Sequence, residues 1–463
     1  MMKISRSLLW RFMSVALVSS LAHAAPKTNV ILIFADDLGY GDLGCYGAQK
    51  IRTPHLDRMA AEGMRFTDFY VAAEVCTPSR AALLTGRYPL RSGMCGDIER
   101  VLFPNSKGGL PPAEITLAEA LRDAGYATMQ IGKWHLGIHE GSRPFDQGFE
   151  HSFGLPYSND MDARPGLPKG STSSETPPAD GWNVALMRDG KIIEKPVDQT
   201  TLTKRYTEEA VKFIGEHKSQ PFFLYLAHTF PHVPLFASPD FKGKSKAGIY
   251  GDAVEELDWS VGKILETLRQ QNLQENTLVV FTSDNGPWLI MGERGGSAGP
   301  LRDGKGSTWD GGMRVPCLAW MPGRIKPAVS SQMVQAMDWF PTAISLAQAE
   351  LPQGVVFDGV NLTPLLFENA SLPERPYFFY RGPHLFACRL GSWKAHFKTQ
   401  GGYGGESKKS HEPPLLYQLD SDPGEKTDVA AQHPEVLKKI ISAVKAHQAA
   451  MVPGKKQLKS TEP

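Results

Sequence analysis

The stretch NVILIFADD, residues 29–37, is an apolar run rich in β-branched and aromatic side chains that stops on two adjacent carboxylates. It predicts a buried strand, Asn29 to Ala35, with Asp36 and Asp37 at its carboxyl end. The same form recurs along the chain. Tyr126 to Ile131 predicts a strand ending on Gly132-Lys133-Trp134-His135, and Phe222 to Ala227 one ending on His228 and, four residues on, His232. A long helix near Tyr250 to Gln270 precedes a strand from Leu278 to Thr282, which ends on Ser283-Asp284-Asn285-Gly286. Thr116 to Ala124 reads as a helix stopped by Gly125. Strands alternating with amphipathic helices define the α/β class. In open α/β sheets ligands bind at the carboxyl edge of the strands, and here chemically capable residues follow four strands, so that edge is the expected site.

Further along, the helix Met337 to Ala347 gives way to a Pro/Gly-bearing stretch, and from Tyr377 come the short runs FFYR, LFACRL, WKAHF and LLYQL. A helix near Pro434 to Ala450 ends the chain, so a small antiparallel α+β domain is expected. The resulting division is 1–24, 25–370 and 371–463. Residues 165–181, PGLPKGSTSSETPPADG, predict a mobile surface loop. Residues 1–24 have a cationic start, an apolar stretch Phe12 to Leu21 and small residues at Ala22 and Ala24. That pattern predicts a secretory signal peptide cleaved near Ala24 and an exported mature chain. No later segment approaches membrane length, so no membrane span is expected in the mature chain.

With 463 residues, 41% of them hydrophobic, the chain can bury one large core and a smaller one. Its formal charge is +1, and loss of Lys3, Arg6 and Arg11 with the leader takes it to −2. Near-neutrality argues against a nucleic-acid or polybasic membrane partner. The five cysteines are an odd number, so at least one is unpaired or serves another purpose.

Asp36-Asp37 and Asp284-Asn285 offer three carboxylates and one amide oxygen, hard donors suited to Ca2+ or Mg2+. Each pair alone reads as ordinary turn chemistry. Together, on strand ends and with no adjacent lysine, they predict a divalent cation. Lys133, His135, His228, His232 and Lys305 sit in loops, and Arg80 lies on the first turn of the helix opened by CTPSRAALLTGR, residues 76–87. Around a metal these side chains make a cationic pocket for a tetrahedral oxyanion. Pro78 suits a helix start, which puts Cys76 at a helix N-terminus, where free N–H groups favour an anion. A buried structural thiol, or a nucleophilic one activated by the helix end, would explain Cys76 without explaining the metal.

Cys76-Thr-Pro-Ser-Arg80, followed by Leu84-Thr-Gly-Arg87, resembles the signature of the type I sulfatases, in which this cysteine is oxidised to Cα-formylglycine. ADDLGYGDLGCYG, GKWHLG, GLPYSND, HTFPH, SDNGP and GKGSTWDGGMRVP accompany it in family order. KAHFKTQG and HEPPLLYQLDSDPGE are similar to the arylsulfatase A subgroup, close to the N-acetylgalactosamine-6-sulfatases. The resemblance implies an alkaline-phosphatase-like fold: a large mixed sheet between helix layers, with a small C-terminal four-stranded sheet.

The same resemblance implies that Asp36, Asp37, Asp284, Asn285 and the modified Cys76 hold Ca2+, or Mg2+. One hydroxyl of the hydrated formylglycine attacks sulfur and the other expels sulfate. Asp284 lies where the family places the acceptor of the attacking hydroxyl's proton, and Arg80 supports the diol. Lys133, His232 and Lys305 grip the sulfate, His232 or Lys305 protonates the leaving group, His135 takes the second hydroxyl's proton, and Ser158 lies near the sulfate. His411 and the 165–181 loop are expected to line the substrate mouth. The implied partners are a sulfated aryl or galactosyl-type substrate and formylglycine-generating machinery. Cys45, Cys95, Cys317 and Cys388 then remain, in no assigned pairing. The competing readings are a phosphatase or phosphonate monoester hydrolase, and a silent sulfated-glycan binding protein if Cys76 stays a thiol.

Overall fold

The computed structural model describes residues 27–460; the expected signal peptide lies outside the described residues. Asn29–Ala35 is the central strand of a ten-stranded mixed sheet. It pairs in parallel with Phe222–Ala227 on one side and Thr277–Ser283 on the other. Ala127–Gly132 and His151–Gly154 continue the parallel set beyond Phe222–Ala227. Cys317–Trp320 joins antiparallel to Thr277–Ser283, and the hairpin Leu186–Arg188/Lys191–Glu194 closes the opposite edge. Its Asp189-Gly190 turn has positive φ at both residues, as a two-residue hairpin requires.

Alternation along the first strand builds both faces of the core. Val30, Leu32 and Phe34 enter one apolar cluster, packed under helices that include Cys76–Thr85, Leu117–Asp123 and Trp339–Leu346. Ile31, Ile33 and Ala35 enter the other, with Pro54–Glu62, Leu202–Glu216 and Gly248–Gln270. The expected helix at 116–124 has a capping box: Thr116 accepts from the Glu119 N–H and Glu119 accepts from the Thr116 N–H. Register aligns the strand ends, with Ala35 opposite Ser283 and Phe34 and Gly132 both opposite Ala227. Asp36, Lys133, His228 and Asp284 therefore emerge along one edge of the sheet. Among the described residues no helix is long and apolar enough to cross a membrane.

A second sheet of four antiparallel strands, Tyr377–Arg381, His384–Leu390, Trp393–Thr399 and Lys409–Gln418, runs in sequence order. The helix Pro434–Ala450 packs on its two middle strands. The last strand begins six residues before the expected LLYQL run. Its early part is polar and carries Pro413 and Pro414, which an edge strand tolerates. Fully buried Lys394 reaches from this sheet to the Thr308 carbonyl at 2.9 Å and to Asp310 at 2.8 Å, and pairs with Glu425 at 3.0 Å. Glu425 also accepts from the Asp310 N–H at 2.7 Å and meets His396 at 2.7 Å. Removing one partner from such a buried network typically costs about 3–5 kcal/mol. It fixes the loop that carries Lys305 to the C-terminal sheet. The 165–181 segment is a largely exposed loop with one 3-10 turn, held by ion pairs Arg164–Asp180 and Arg294–Glu175.

Candidate active site

The backbone at the sheet edge is held in rarely populated conformations. Asp37 has φ 65° and His135 φ 59°, left-handed values uncommon for non-glycine residues. Gly132 and Gly286 make the close approaches possible: a Cβ on either would lie 1.8 Å from a backbone oxygen, of Ala227 and Gly311 respectively.

Asp36, Asp37, Asp284 and Asn285 converge as the strand ends predict, all of them buried. One ligand atom each from Asp36, Cys76 and Asp284 lies within 4.8 Å of the others, and Asp36, Asp37 and His232 form an overlapping set. Asn285 Nδ2 donates to Asp37 Oδ1 at 2.7 Å, and the Asp37 N–H donates to Asp284 Oδ1 at 3.1 Å. Two acceptors in this cluster, Asp36 Oδ1 and Asn285 Oδ1, are enclosed without a hydrogen-bond partner. Buried acceptors are normally satisfied, and unpartnered oxygens on residues of a carboxylate cluster match a hard divalent cation. The charges agree. Burial would raise Asp36, but Lys133, His232, Arg80 and Lys305 hold it well below the usual carboxylate range. Asp284 is pushed up to about 7, by burial first and then by Asp36 beside it. Two carboxylates so placed do not both ionise readily without added positive charge.

Permanent cations ring the carboxylates. Lys133 Nζ donates to Asp36 Oδ2 at 2.5 Å and to Ser158 Oγ at 3.1 Å. Lys305 Nζ donates to Asp37 Oδ2 at 2.7 Å. Arg80, entirely buried, donates through Nε and Nη2 to Asp284 Oδ2 at 3.1 and 2.8 Å and through Nη1 to the Lys133 carbonyl at 3.0 Å. Burial works against all three cations, yet their carboxylate neighbours keep each pKa above its ordinary value.

The histidines divide by tautomer and surroundings. His135 shares its Nε2 with the Leu102 carbonyl at 2.7 Å; a carbonyl only accepts, so Nε2 carries the proton and Nδ1 is a free acceptor. Burial and Lys133 lower its pKa well below the usual value, so the ring is neutral. His232 donates from Nδ1 to the Val233 carbonyl at 2.5 Å, which turns Nε2 toward Asp37 Oδ2 at 3.6 Å. His228 is not brought to the carboxylates. Its ring packs against Tyr206 and meets Ser260 Oγ at 3.3 Å, and burial lowers its pKa to about 3. His411 is engaged elsewhere, with Nε2 at 2.8 Å from Thr399 Oγ1 in the C-terminal sheet.

Cys76 opens the helix Cys76–Thr85, all ten residues of which are buried. Burial pushes its thiol up to about 11, with Lys133 and Lys305 pulling the other way. That is the wrong direction for a thiolate nucleophile. None of the five cysteines is in a disulfide.

Sequence reading missed the outer wall. Trp288 lies 5.4 Å from the His232 ring and 4.3 Å from Lys305 Nζ, and Tyr403 lies 5.4 Å from Trp288. Arg100, paired with Glu74 at 2.7 Å, sits 4.9 Å over Tyr403. Trp288 directly follows SDNGP and was detectable there, whereas Tyr403 arrives from the other sheet inside GGYGG, which signals only a turn.

The comparisons with known proteins agree with this architecture. The Sulfatase family matches residues 28–349, and the C-terminal region of aryl-sulfatase matches residues 372–463. Arylsulfatase A of Homo sapiens is 43% identical over 96% of this chain and 92% of its own length. N-acetylgalactosamine-6-sulfatase of Homo sapiens is 41% identical over 94% and 89%. The solved structure of Ps i-CgsB in complex with k-i-k-neocarrahexaose is 32% identical, with a TM-score of 0.78 over 94% of this chain and 95% of that one. With that fold, these motifs and these matches, the chain belongs to the sulfatase family and is an enzyme that hydrolyses sulfate esters.

Proposed function

We propose that this sulfatase removes sulfate from a sulfated carbohydrate of galactosyl type or an aryl sulfate, using a formylglycine made from Cys76 and a divalent cation, Ca2+ or Mg2+. The observation that carries the reading is the pair of enclosed, unpartnered acceptors Asp36 Oδ1 and Asn285 Oδ1, on residues that meet Asp37, Asp284 and the position 76 side chain: Asp36 through the carboxylate cluster and Asn285 through its bond to Asp37. Those five residues would hold the cation. Bound there, a divalent ion draws charge from a sulfate oxygen and eases ionisation of a neighbouring hydroxyl. The hydrated aldehyde supplies two hydroxyls on one carbon, one to attack sulfur and one whose ionisation releases sulfate.

The remaining work falls to the protein's own groups. Arg80 holds Asp284 in place for the attacking hydroxyl's proton and lends position 76 a fixed positive charge. Lys133, Lys305 and His232 bind the sulfate oxygens, with Ser158 fixing the Lys133 ammonium. His135 Nδ1, a neutral and unpaired acceptor, takes the second hydroxyl's proton. Lys305 Nζ, or His232 Nε2 when the ring is the imidazolium with protons on both nitrogens, gives a proton to the departing oxygen. In so enclosed a pocket each preset charge has more effect than in water.

The domain reading follows: residues 25–370 carry the chemistry and 371–463 buttress the loop of Lys305. We also take residues 1–24 as an export signal and the modifying machinery as a partner before folding. The carbohydrate in the Ps i-CgsB structure supports a glycan substrate. Sulfate is preferred over phosphate because of the complete CTPSR motif. Purified protein bearing the aldehyde should hydrolyse 4-nitrophenyl sulfate far faster than 4-nitrophenyl phosphate; the reverse order of kcat/KM would reassign it to the phosphatase or phosphonate hydrolase reading.

A further inference from the structure

We propose that the leaving-group side of the pocket is a subsite for a hydroxylated sugar ring, built from Trp288, Tyr403 and Asp160. The inference rests on the sulfatase reading above and specifies its substrate. Both candidate proton donors for the departing oxygen touch one ring. Trp288 packs 5.4 Å from His232, centroid to centroid, and Lys305 Nζ stands 4.3 Å from its centre. Any group leaving sulfur between His232 and Lys305 therefore departs beside this indole.

Tyr403 extends the wall, 5.4 Å from Trp288 at an interplanar angle of 54°. Both rings are half-buried, so each keeps part of its surface open. Arg100 lies over Tyr403 at 4.9 Å and is itself tied to Glu74, which makes the second ring a fixed surface.

Asp160 supplies the polar half of the subsite. It lies two residues beyond Ser158, whose Oγ accepts from Lys133 Nζ at 3.1 Å, and its charge acts on the His232 ring. It is half-buried, and its Oδ1 is enclosed with no hydrogen-bond partner. Buried acceptors are normally satisfied, and a carboxylate only accepts. The complementary ligand has hydroxyl donors at its rim and an apolar face that an aromatic ring can cover. A pyranose has both. A plain aryl ester would use the rings and leave Asp160 unmatched. Leu289 and Ile290, 41% and 57% exposed beyond Trp288, make a long apolar leaving group the competing occupant.

The test compares aldehyde-bearing wild type with Asp160→Asn, Trp288→Ala and Trp288→Phe. The substrates are methyl galactopyranosides carrying one sulfate each at O2, O3, O4 or O6, 4-nitrophenyl sulfate, and dodecyl sulfate. For the best sugar ester, the ratio of its kcat/KM to that on the aryl ester should fall at least about tenfold in Asp160→Asn and in Trp288→Ala, since a lost hydroxyl contact discriminates against the substrate that made it. The Asp160→Asn loss should lie mainly in KM, and Trp288→Phe should recover most of the loss seen with alanine. Unchanged ratios in both variants would overturn the subsite. So would a wild type that cleaves aryl or dodecyl sulfate but no sugar ester, which leaves the sulfatase reading intact. Release of sulfate from none of the esters, with the aldehyde verified, would overturn both. Asparagine is isosteric with aspartate and phenylalanine keeps a ring, so unchanged melting temperatures for these two separate recognition from folding.

Discussion

Cys76→Ser is expected to turn the enzyme over once and stop. A serine hydroxyl at the start of the helix Cys76–Thr85 stands in the same buried ring of Arg80, Lys133 and Lys305, so the grip on sulfate survives. What it lacks is the second hydroxyl on the same carbon, the group whose ionisation would expel the bound sulfate. Product should therefore appear as one equivalent per protein molecule, with the intact mass raised by about 80 Da, the mass of a transferred SO3 group. Steady-state kcat should fall on the order of a millionfold, the scale on which loss of a nucleophile is felt. Rapid-mixing assays with an aryl sulfate and mass spectrometry read both quantities. Sustained turnover by the serine variant would show that release needs no second hydroxyl.

Stripping divalent cations from the aldehyde-bearing enzyme should lower both its activity and its melting temperature, and Ca2+ or Mg2+ should restore both. Asp36, Asp37 and Asp284 are gathered in a buried cluster, and in it Asp284 rises to about 7 under burial and the charge of Asp36. A cation relieves that repulsion and satisfies Asp36 Oδ1 and Asn285 Oδ1. A ligand that binds only the folded state stabilises it by about 2.7 kcal/mol at a hundredfold excess over Kd, a shift of a few degrees in Tm for a large domain. Activity without the ion should drop by about 10^3 or more, in line with removal of a main source of charge stabilisation at the reacting oxygen. Differential scanning fluorimetry with chelator, then with each ion, measures the first effect without reference to turnover. In Asp36→Asn the response to added ion should be largely lost. A Tm that ignores both ions in the wild type would contradict the proposed ligand set.

Much of this arrangement was legible because apolar strands ended abruptly on charged residues. The run at 29–35 and the pairs Asp36-Asp37 and Asp284-Asn285 reported both the sheet and the edge where its chemistry collects. Strand ends say less about which way a side chain turns. His228 follows a strand as Asp36 does, but alternation aims it at the layer of helix Gly248–Gln270, where Ser260 meets it. Long-range contributions were harder to read. Tyr403 reaches the pocket from the other sheet, which the buried Lys394–Glu425–Asp310 network seats against the loop of Lys305. Arg100 sits in an irregular stretch with no periodicity to mark it. The hairpin at 186–194 was missed because exposed Ile192 and Ile193 break the alternation expected of a half-buried strand.

The central claim is that position 76 acts as an aldehyde. Its most direct test is peptide mass spectrometry across preparations made with and without formylglycine-generating machinery, each assayed for sulfate release. The peptide containing residue 76 should be about 18 Da lighter than its cysteine form, the change from CH2SH to CHO. Specific activity should rise in proportion to the converted fraction and extrapolate to zero where only cysteine is present. Full activity from protein with an unmodified thiol at Cys76 would contradict the account.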